Sequence, residues 1–236
     1  MKALKKLRLT LKDLITLPPH KAAVFFKTGE GQYAQGDQFI GITVPNLRKV
    51  AKNFMDLSVE DVEVLLHSKI NEERFLALII LVENYNNADE YDKEKLYQFY
   101  LKNLQYVNNW NLVDASAHLI IGAHLWDKDR QYLLELAQSE VLWDRRISVV
   151  STWYFIRKQD VKWTFKIASL LQKDKHDLIH KAVGWMLREA GKRDEQALIK
   201  FLDKYANTMP RTMLRYAIEK FTLDQRKNYL SKSSVK

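Results

Sequence analysis

Helical segments in this chain come in pairs, and the pairs recur at a nearly constant interval. Arg74, Asp114, Arg146, Lys181 and Arg211 each fall near the start of the second helix of a pair, at separations of 40, 32, 35 and 30 residues. A repeat of that length with two helices per unit marks an α-solenoid of the HEAT or armadillo kind. One such pair cannot bury its own apolar face, so it has to stack on its neighbours. The stack curves, and the second helices line its concave side. The expected architecture is therefore all-α: a solenoid of HEAT-like helix pairs curved around a basic concave groove, with residues 1–236 forming a single domain.

The helices themselves are read from periodicity and from where breakers fall. Only 7 glycines and 4 prolines occur in 236 residues, and no long run of alternating residues suggests a strand. Pro18, Pro19, Pro45 and Pro210 all sit just before or at the start of apolar-periodic segments, where proline is tolerated. The pattern predicts helices over 3–16, 20–27, 45–56, 59–68, 71–86, 89–105, 109–125, 128–138, 142–158, 161–172, 176–191, 194–206, 210–220 and 223–231. The longest irregular stretch, 28–37, holds three of the seven glycines. It lacks the Gly-Lys-Ser/Thr ending and the preceding strand of a phosphate-cradling loop, so it reads as a connector.

Charge and cysteine usage narrow the function classes. There are 38 basic and 29 acidic residues, a net charge of +9. An excess of that size points to a polyanionic partner, nucleic acid or anionic membrane, or serves solubility alone. Zero cysteines exclude disulfides, thiolate zinc sites, Fe–S clusters and a cysteine nucleophile. No apolar run reaches the eighteen or so residues of a membrane span. The basic, amphipathic stretch from Met1 to Lys12 lacks the apolar region and cleavage site of a secretion signal, so a cytoplasmic protein is expected.

The solenoid geometry gives the basic residues a place. Arg145, Arg146, Lys181, Arg188, Arg211 and Arg215 come from successive second helices. Lys181, Trp185 and Arg188 share one helix face, being spaced i, i+4, i+7. A groove of cations with indoles between them suits a nucleic-acid backbone. The alternative is a solvated face of ordinary interhelix salt bridges, for which Glu73, Asp144, Glu189 and Glu219 are available partners. Arg48 and Lys49 lie on the helix that Pro45 opens.

Asn108-Asn109-Trp110-Asn-Leu-Val-Asp114 reads as a helix opening, capped by Asn108 or Asn109. Trp110 and Asp114 then lie one turn apart on one face. They are either a functional pair or a core tryptophan beside a solvated carboxylate. Trp126, Trp153 and Trp163 sit among apolar neighbours and read as core, whereas Trp143 reads as a surface or groove aromatic. The six histidines form no His-Glu-x-x-His motif or Cys/His cluster. His176 and His180 are spaced to clip a metal but sit at a helix start, where capping is the simpler role. No metal or cofactor is expected.

These residues resemble the bacterial AlkD-like DNA alkylation repair family. The resemblance rests on Trp110-Asn-Leu-Val-Asp114, Trp143-Asp-Arg-Arg146 and Lys181-Ala-Val-Gly-Trp185-Met-Leu-Arg188-Glu189. The stretches from Met209 to Lys220 and from Gly36 to Pro45 are also similar, and the likeness runs over about 25–230. It implies a HEAT-like solenoid that clasps duplex DNA and hydrolyses the N-glycosidic bond of N3- or N7-alkylated purines. By motif position Trp110 and Asp114 match the family's catalytic tryptophan and aspartate, Arg146 its arginine at the lesion, and Trp185 its second aromatic. Lys181 and Arg188 match phosphate contacts. The family's aromatic on an N-terminal helix corresponds to Phe26 or Phe25. The position before Trp110 is Asn109 where the better-known members carry another aromatic.

The implied partner is duplex DNA containing alkylated bases, with no membrane, no cofactor and no obligate protein partner. Two other classes share parts of this pattern. One is a non-catalytic HEAT-like protein that binds damaged, bent or branched DNA. The other is a protein-interaction scaffold, which solenoids often are.

Overall fold

The computed structural model describes residues 2–232. Among them are fourteen α-helices: α1 (Lys2–Lys12), α2 (Pro19–Phe26), α3 (Val44–Lys52), α4 (Val59–Leu66), α5 (Asn71–Asn87), α6 (Glu90–Lys102), α7 (Trp110–Ala117), α8 (Gln131–Ala137), α9 (Leu142–Arg157), α10 (Lys162–Leu171), α11 (Asp177–Gly191), α12 (Glu195–Tyr205), α13 (Arg211–Ala217) and α14 (Leu223–Lys232). A 3-10 turn covers Leu104–Tyr106, and a π-helical segment, His118–Gly122, continues the chain after α7. No strand occurs among the described residues; an isolated bridge joins Gln38 to Ile70. The fold is an α-solenoid, as the sequence repeat predicts. No described helix is long and apolar enough to cross a membrane.

The local signals act where the sequence puts them. Pro19 and Pro45 occupy first-turn positions of α2 and α3, where their missing N–H costs nothing. Ser58, Asp89 and Asp194 cap α4, α6 and α12 by accepting from backbone N–H groups three residues on. His176 caps α11, its Nδ1 accepting from Leu178 N at 3.1 Å. The expected helices 3–16 and 45–56 end early, at Lys12 and Lys52. After α1 the N–H groups of Thr16 and Leu17 both turn to the carbonyl of Gly41 at 3.0 Å, which pulls the chain out of helical register. After α3, Asn53 and Phe54 bond three residues back and tighten into a turn.

The chain divides into two compact units, Met1–Ser116 and Ala117–Lys236. In the first, α5 is the hub: α3, α4 and α6 pack on it, and every residue from Asn71 to Val82 is buried. In the second, the π-helical segment packs on α9, α9 on α11, and α11 on α13. The second helix of each pair thus meets the second helix of the next, while α8 covers α9 and α10 bridges α9 and α11. Gly184 sets the approach of α11 to α13. A Cβ there would come within 2.5 Å of the Met213 carbonyl oxygen and the Tyr216 Cβ, so α11 and α13 touch nearly backbone to backbone.

Tryptophan placement departs from expectation. Trp143 is buried rather than on a surface. It lies in the first turn of α9, a helix enclosed by the π-helical segment, α8, α10 and α11. Trp126, Trp153 and Trp163 are half-buried rather than core. Cations lie over their rings: Arg130 is 5.3 Å from the Trp126 centroid, Arg157 5.4 Å from that of Trp153, and Lys166 4.3 Å from that of Trp163.

Candidate functional site

In the first unit the site is built around the opening of α7. Asn109 takes the cap position: its carbonyl oxygen accepts from Leu112 N and Val113 N at 3.1 Å, and its side-chain Oδ1 accepts from Trp110 N at 2.8 Å. Trp110 is thereby the first helical residue. Its indole lies face to face with Phe26, with centroids 5.1 Å apart and planes 18° apart. Phe26 stacks in turn on Phe39 at 4.5 Å. Phe25 meets Trp110 edge-on at 5.8 Å, and the indole N–H donates to the Tyr33 hydroxyl at 3.3 Å.

The sequence left Phe25 and Phe26 as alternatives; both touch Trp110, and Phe26 is the one that stacks. Tyr33 was not singled out, because a tyrosine in a connector carries no local signal of what it will face. Asp114 follows one turn after Trp110 and is half-buried. Arg48 is exposed on α3.

In the second unit Arg145 and Arg146 lie on α9, Lys181 and Arg188 on α11, and Arg211 and Arg215 on α13, and several are engaged. Arg145 donates through Nε to Asp174 at 2.7 Å and through Nη1 to the carbonyls of Ser139 and Glu140. Arg146 is buried and gives Nη1 to the Leu178 carbonyl at 2.5 Å, tying α9 to α11. Lys181 pairs with Asp177 at 2.7 Å, one turn back. Arg188 pairs with Glu189 and Glu219. Arg211 and Arg215 are exposed, and Arg211 donates to the Leu230 carbonyl.

The interhelix salt-bridge alternative therefore holds for Glu219, whereas Glu189 pairs locally with Arg188 and Lys192. Glu73 instead takes Arg8 in a two-bonded pair at 2.9 Å, and Asp144 accepts from the Ser139 hydroxyl.

Trp185 is half-buried on α11 and has Trp153 of α9 against it, edge to face at 4.9 Å. Trp153 also contacts the His118 ring at 4.5 Å. Three successive inner segments thus contribute one ring each to a row: the π-helical segment, α9 and α11. Sequence reasoning missed this row, since each ring was read on its own helix. Among the described residues no group of three or more His, Asp or Glu side chains could hold a metal ion. Burial lowers the His176 pKa, and Arg145 adds to that while Asp174 opposes it. A neutral ring suits its role as cap acceptor.

A family model described as DNA alkylation repair enzyme matches residues 18–221. The chain belongs to that DNA alkylation repair family. The matched span takes in α2 to α13 and with them Phe26, Arg48, Trp110, Asp114, Arg145, Arg146, Lys181, Trp185, Arg188, Arg211 and Arg215. Among solved structures, one described as a predicted DNA alkylation repair enzyme from Enterococcus faecalis is similar, with a TM-score of 0.66. It is 16% identical, and the alignment covers 89% of this chain and 98% of that one. At that identity the likeness speaks to the fold alone. No curated protein matches the chain.

Proposed function

We propose that this member of the DNA alkylation repair family is a DNA glycosylase acting on positively charged N3- or N7-alkylated purines in duplex DNA. The observation that carries the reading is the fixed Trp110 indole, stacked on Phe26, one helical turn ahead of Asp114. An alkylated purine already carries a positive charge, so it leaves without being protonated and no general acid is required. As the C1′–N bond breaks, the deoxyribose becomes oxocarbenium-like. A carboxylate held beside it stabilises that charge in a preorganised site. Water then adds to C1′, the base departs neutral, and the water proton passes to Asp114 or to solvent.

Trp110 and Trp185 supply electron-rich faces for the sugar and backbone. Arg146 serves as the arginine at the lesion, steadied by its bond to the Leu178 carbonyl. Arg48, Arg145, Lys181, Arg188, Arg211 and Arg215 contribute the sequence-independent attraction to phosphates. The chemistry calls for no cofactor.

The deciding experiment compares wild type with Asp114→Asn for release of free 7-methylguanine from alkylated duplex DNA. The variant should bind duplex DNA as wild type does and lose about 10²–10³ in excision rate, the usual effect of removing one preorganised charge. Wild-type excision by Asp114→Asn would overturn the mechanism. A wild-type protein that binds duplex DNA but releases no base would establish the second reading, a non-catalytic DNA-binding solenoid.

A further inference from the structure

We propose that Asp37, in the connector ahead of α3, is a positioning residue for the site, setting the orientation of the first turn of α7 and with it the Trp110 ring. The inference rests on the glycosylase reading for its functional consequence, though not for its geometry.

Asp37 is nearly buried, with a side-chain exposure of 9%, and faces Arg74 at 4%. Its Oδ1 accepts from Arg74 Nη2 at 2.7 Å. Its Oδ2 accepts from two amides, Asn71 Nδ2 at 3.1 Å and Asn109 Nδ2 at 2.9 Å. Arg74 is held in turn by the Ser68 carbonyl at 2.8 Å. A buried ion pair of this kind adds little net stability, because removing both charges from water offsets their attraction.

What the pair does provide is direction. An ionised carboxylate only accepts, so each asparagine must turn its NH2 toward Asp37 and its carbonyl oxygen away. The freed oxygen of Asn109 then meets Trp110 N at 2.8 Å, and that of Asn71 meets Asn111 Nδ2 at 2.7 Å. One carboxylate thus fixes two asparagines of the α7 opening, Asn109 directly and Asn111 through Asn71. The ring that follows Asn109 is Trp110, and Asp114 comes one turn later.

Asp37→Asn preserves shape and breaks the logic. An amide at position 37 cannot accept from Arg74 on one side and from two NH2 groups on the other. Three measurements on the full chain separate positioning from plain stabilisation. They are the single-turnover excision rate at saturating alkylated duplex, the affinity for unmodified duplex, and the Trp110 contribution to near-UV circular dichroism. The last is obtained by subtracting each protein's Trp110→Phe counterpart.

The folded Asp37→Asn protein should lose about tenfold or more in single-turnover rate, since misplacements near 1 Å cost up to about 10². It should keep duplex affinity within about twofold, because no phosphate-contacting charge is altered. Its Trp110 signal should change. Should Asp37→Asn fail to fold, Asn111→Ala removes one tether, leaves the ion pair intact, and should show the same pattern with a smaller loss. An unchanged Trp110 signal in a folded variant overturns the proposal, as does a rate that falls only in proportion to the folded fraction. If wild type excises nothing, the glycosylase reading fails by itself, and the Trp110 signal still decides whether Asp37 sets the ring.

Discussion

Arg188 on α11 and Glu219, just beyond α13, form an ion pair in the second unit, and Glu189 holds the same guanidinium at 3.2 Å. A cation expected to meet phosphate is thus shared between two carboxylates in the free protein. DNA has to compete with them. Glu219→Gln removes one competitor and raises the net charge by one. Affinity for undamaged duplex should rise about two- to fivefold at low ionic strength and converge on wild type as salt increases. Because Glu219 is exposed, thermal stability should hardly move. A salt-titrated binding series on the two proteins checks this, and equal affinities at low salt would remove Arg188 from the interface.

Gly41 carries φ of 88° and lies where a Cβ would come within 1.9 Å of the Leu17 carbonyl oxygen. Its own carbonyl takes the N–H groups of Thr16 and Leu17, and its N–H donates to the buried Glu72 carboxylate at 2.8 Å. Gly41→Ala therefore faces both left-handed backbone strain and a collision with fixed backbone. The left-handed term alone costs about 1–2 kcal/mol, and the collision adds to it. Denaturant unfolding should register a loss of more than about 2 kcal/mol, in the range of strain at a special backbone position.

His176 gives the protein a pH-dependent helix cap. Burial, with help from Arg145, lowers its folded pKa below the ordinary 6.5. Between the two values the unfolded chain binds the proton and the folded one does not. Stability therefore rises with pH across that window and is lost as pH falls through it. His176→Asn keeps an acceptor for Leu178 N without a titrating ring. The difference in unfolding free energy between variant and wild type should shift in the variant's favour as pH drops from about 7 to 5. His176→Ala, lacking the acceptor, should cost about 1 kcal/mol at neutral pH.

Much of this was legible because it is local. Helix starts announced themselves through Pro19, Pro45 and Pro210, and His176 reads as a cap from its place at the head of a helix. The repeat anchored on Arg74, Asp114, Arg146, Lys181 and Arg211 found the second helix of five successive pairs. What stayed hidden depends on what covers a helix face. Periodicity says which side of α9 is apolar, not that a neighbour encloses Trp143 while Arg157 and Trp185 leave Trp153 half open. The ties among Asp37, Arg74 and Asn109 span up to 72 residues, and no spacing rule connects a polar residue in a connector to an asparagine two helix pairs later. Of the charges assigned to phosphate, the sequence could not separate those already engaged, Arg145, Lys181 and Arg188, from the exposed Arg48 and Arg215.

The α2 helix tests how a nearly coreless element is held. None of its eight residues is buried, and Val24 and Phe25 are 79% and 65% exposed. Its main apolar anchor is Phe26, sandwiched between Phe39 and Trp110. An aromatic contact contributes about 0.5–1.5 kcal/mol beyond area burial, so two such contacts hold α2 with only a few kcal/mol. Phe26→Ala should release α2 without unfolding the unit, since α5 and its neighbours keep their own core. Trypsin should then cut after Lys21 and Lys27 at least about tenfold faster, because local opening with few buried contacts tracks the lost contact energy. The midpoint of global unfolding should drop far less than for a residue of α5 such as Leu76→Ala, where a fully buried side chain is lost at about 2–5 kcal/mol. Cleavage at the wild-type rate would mean that α2 is held by something other than the ring sandwich.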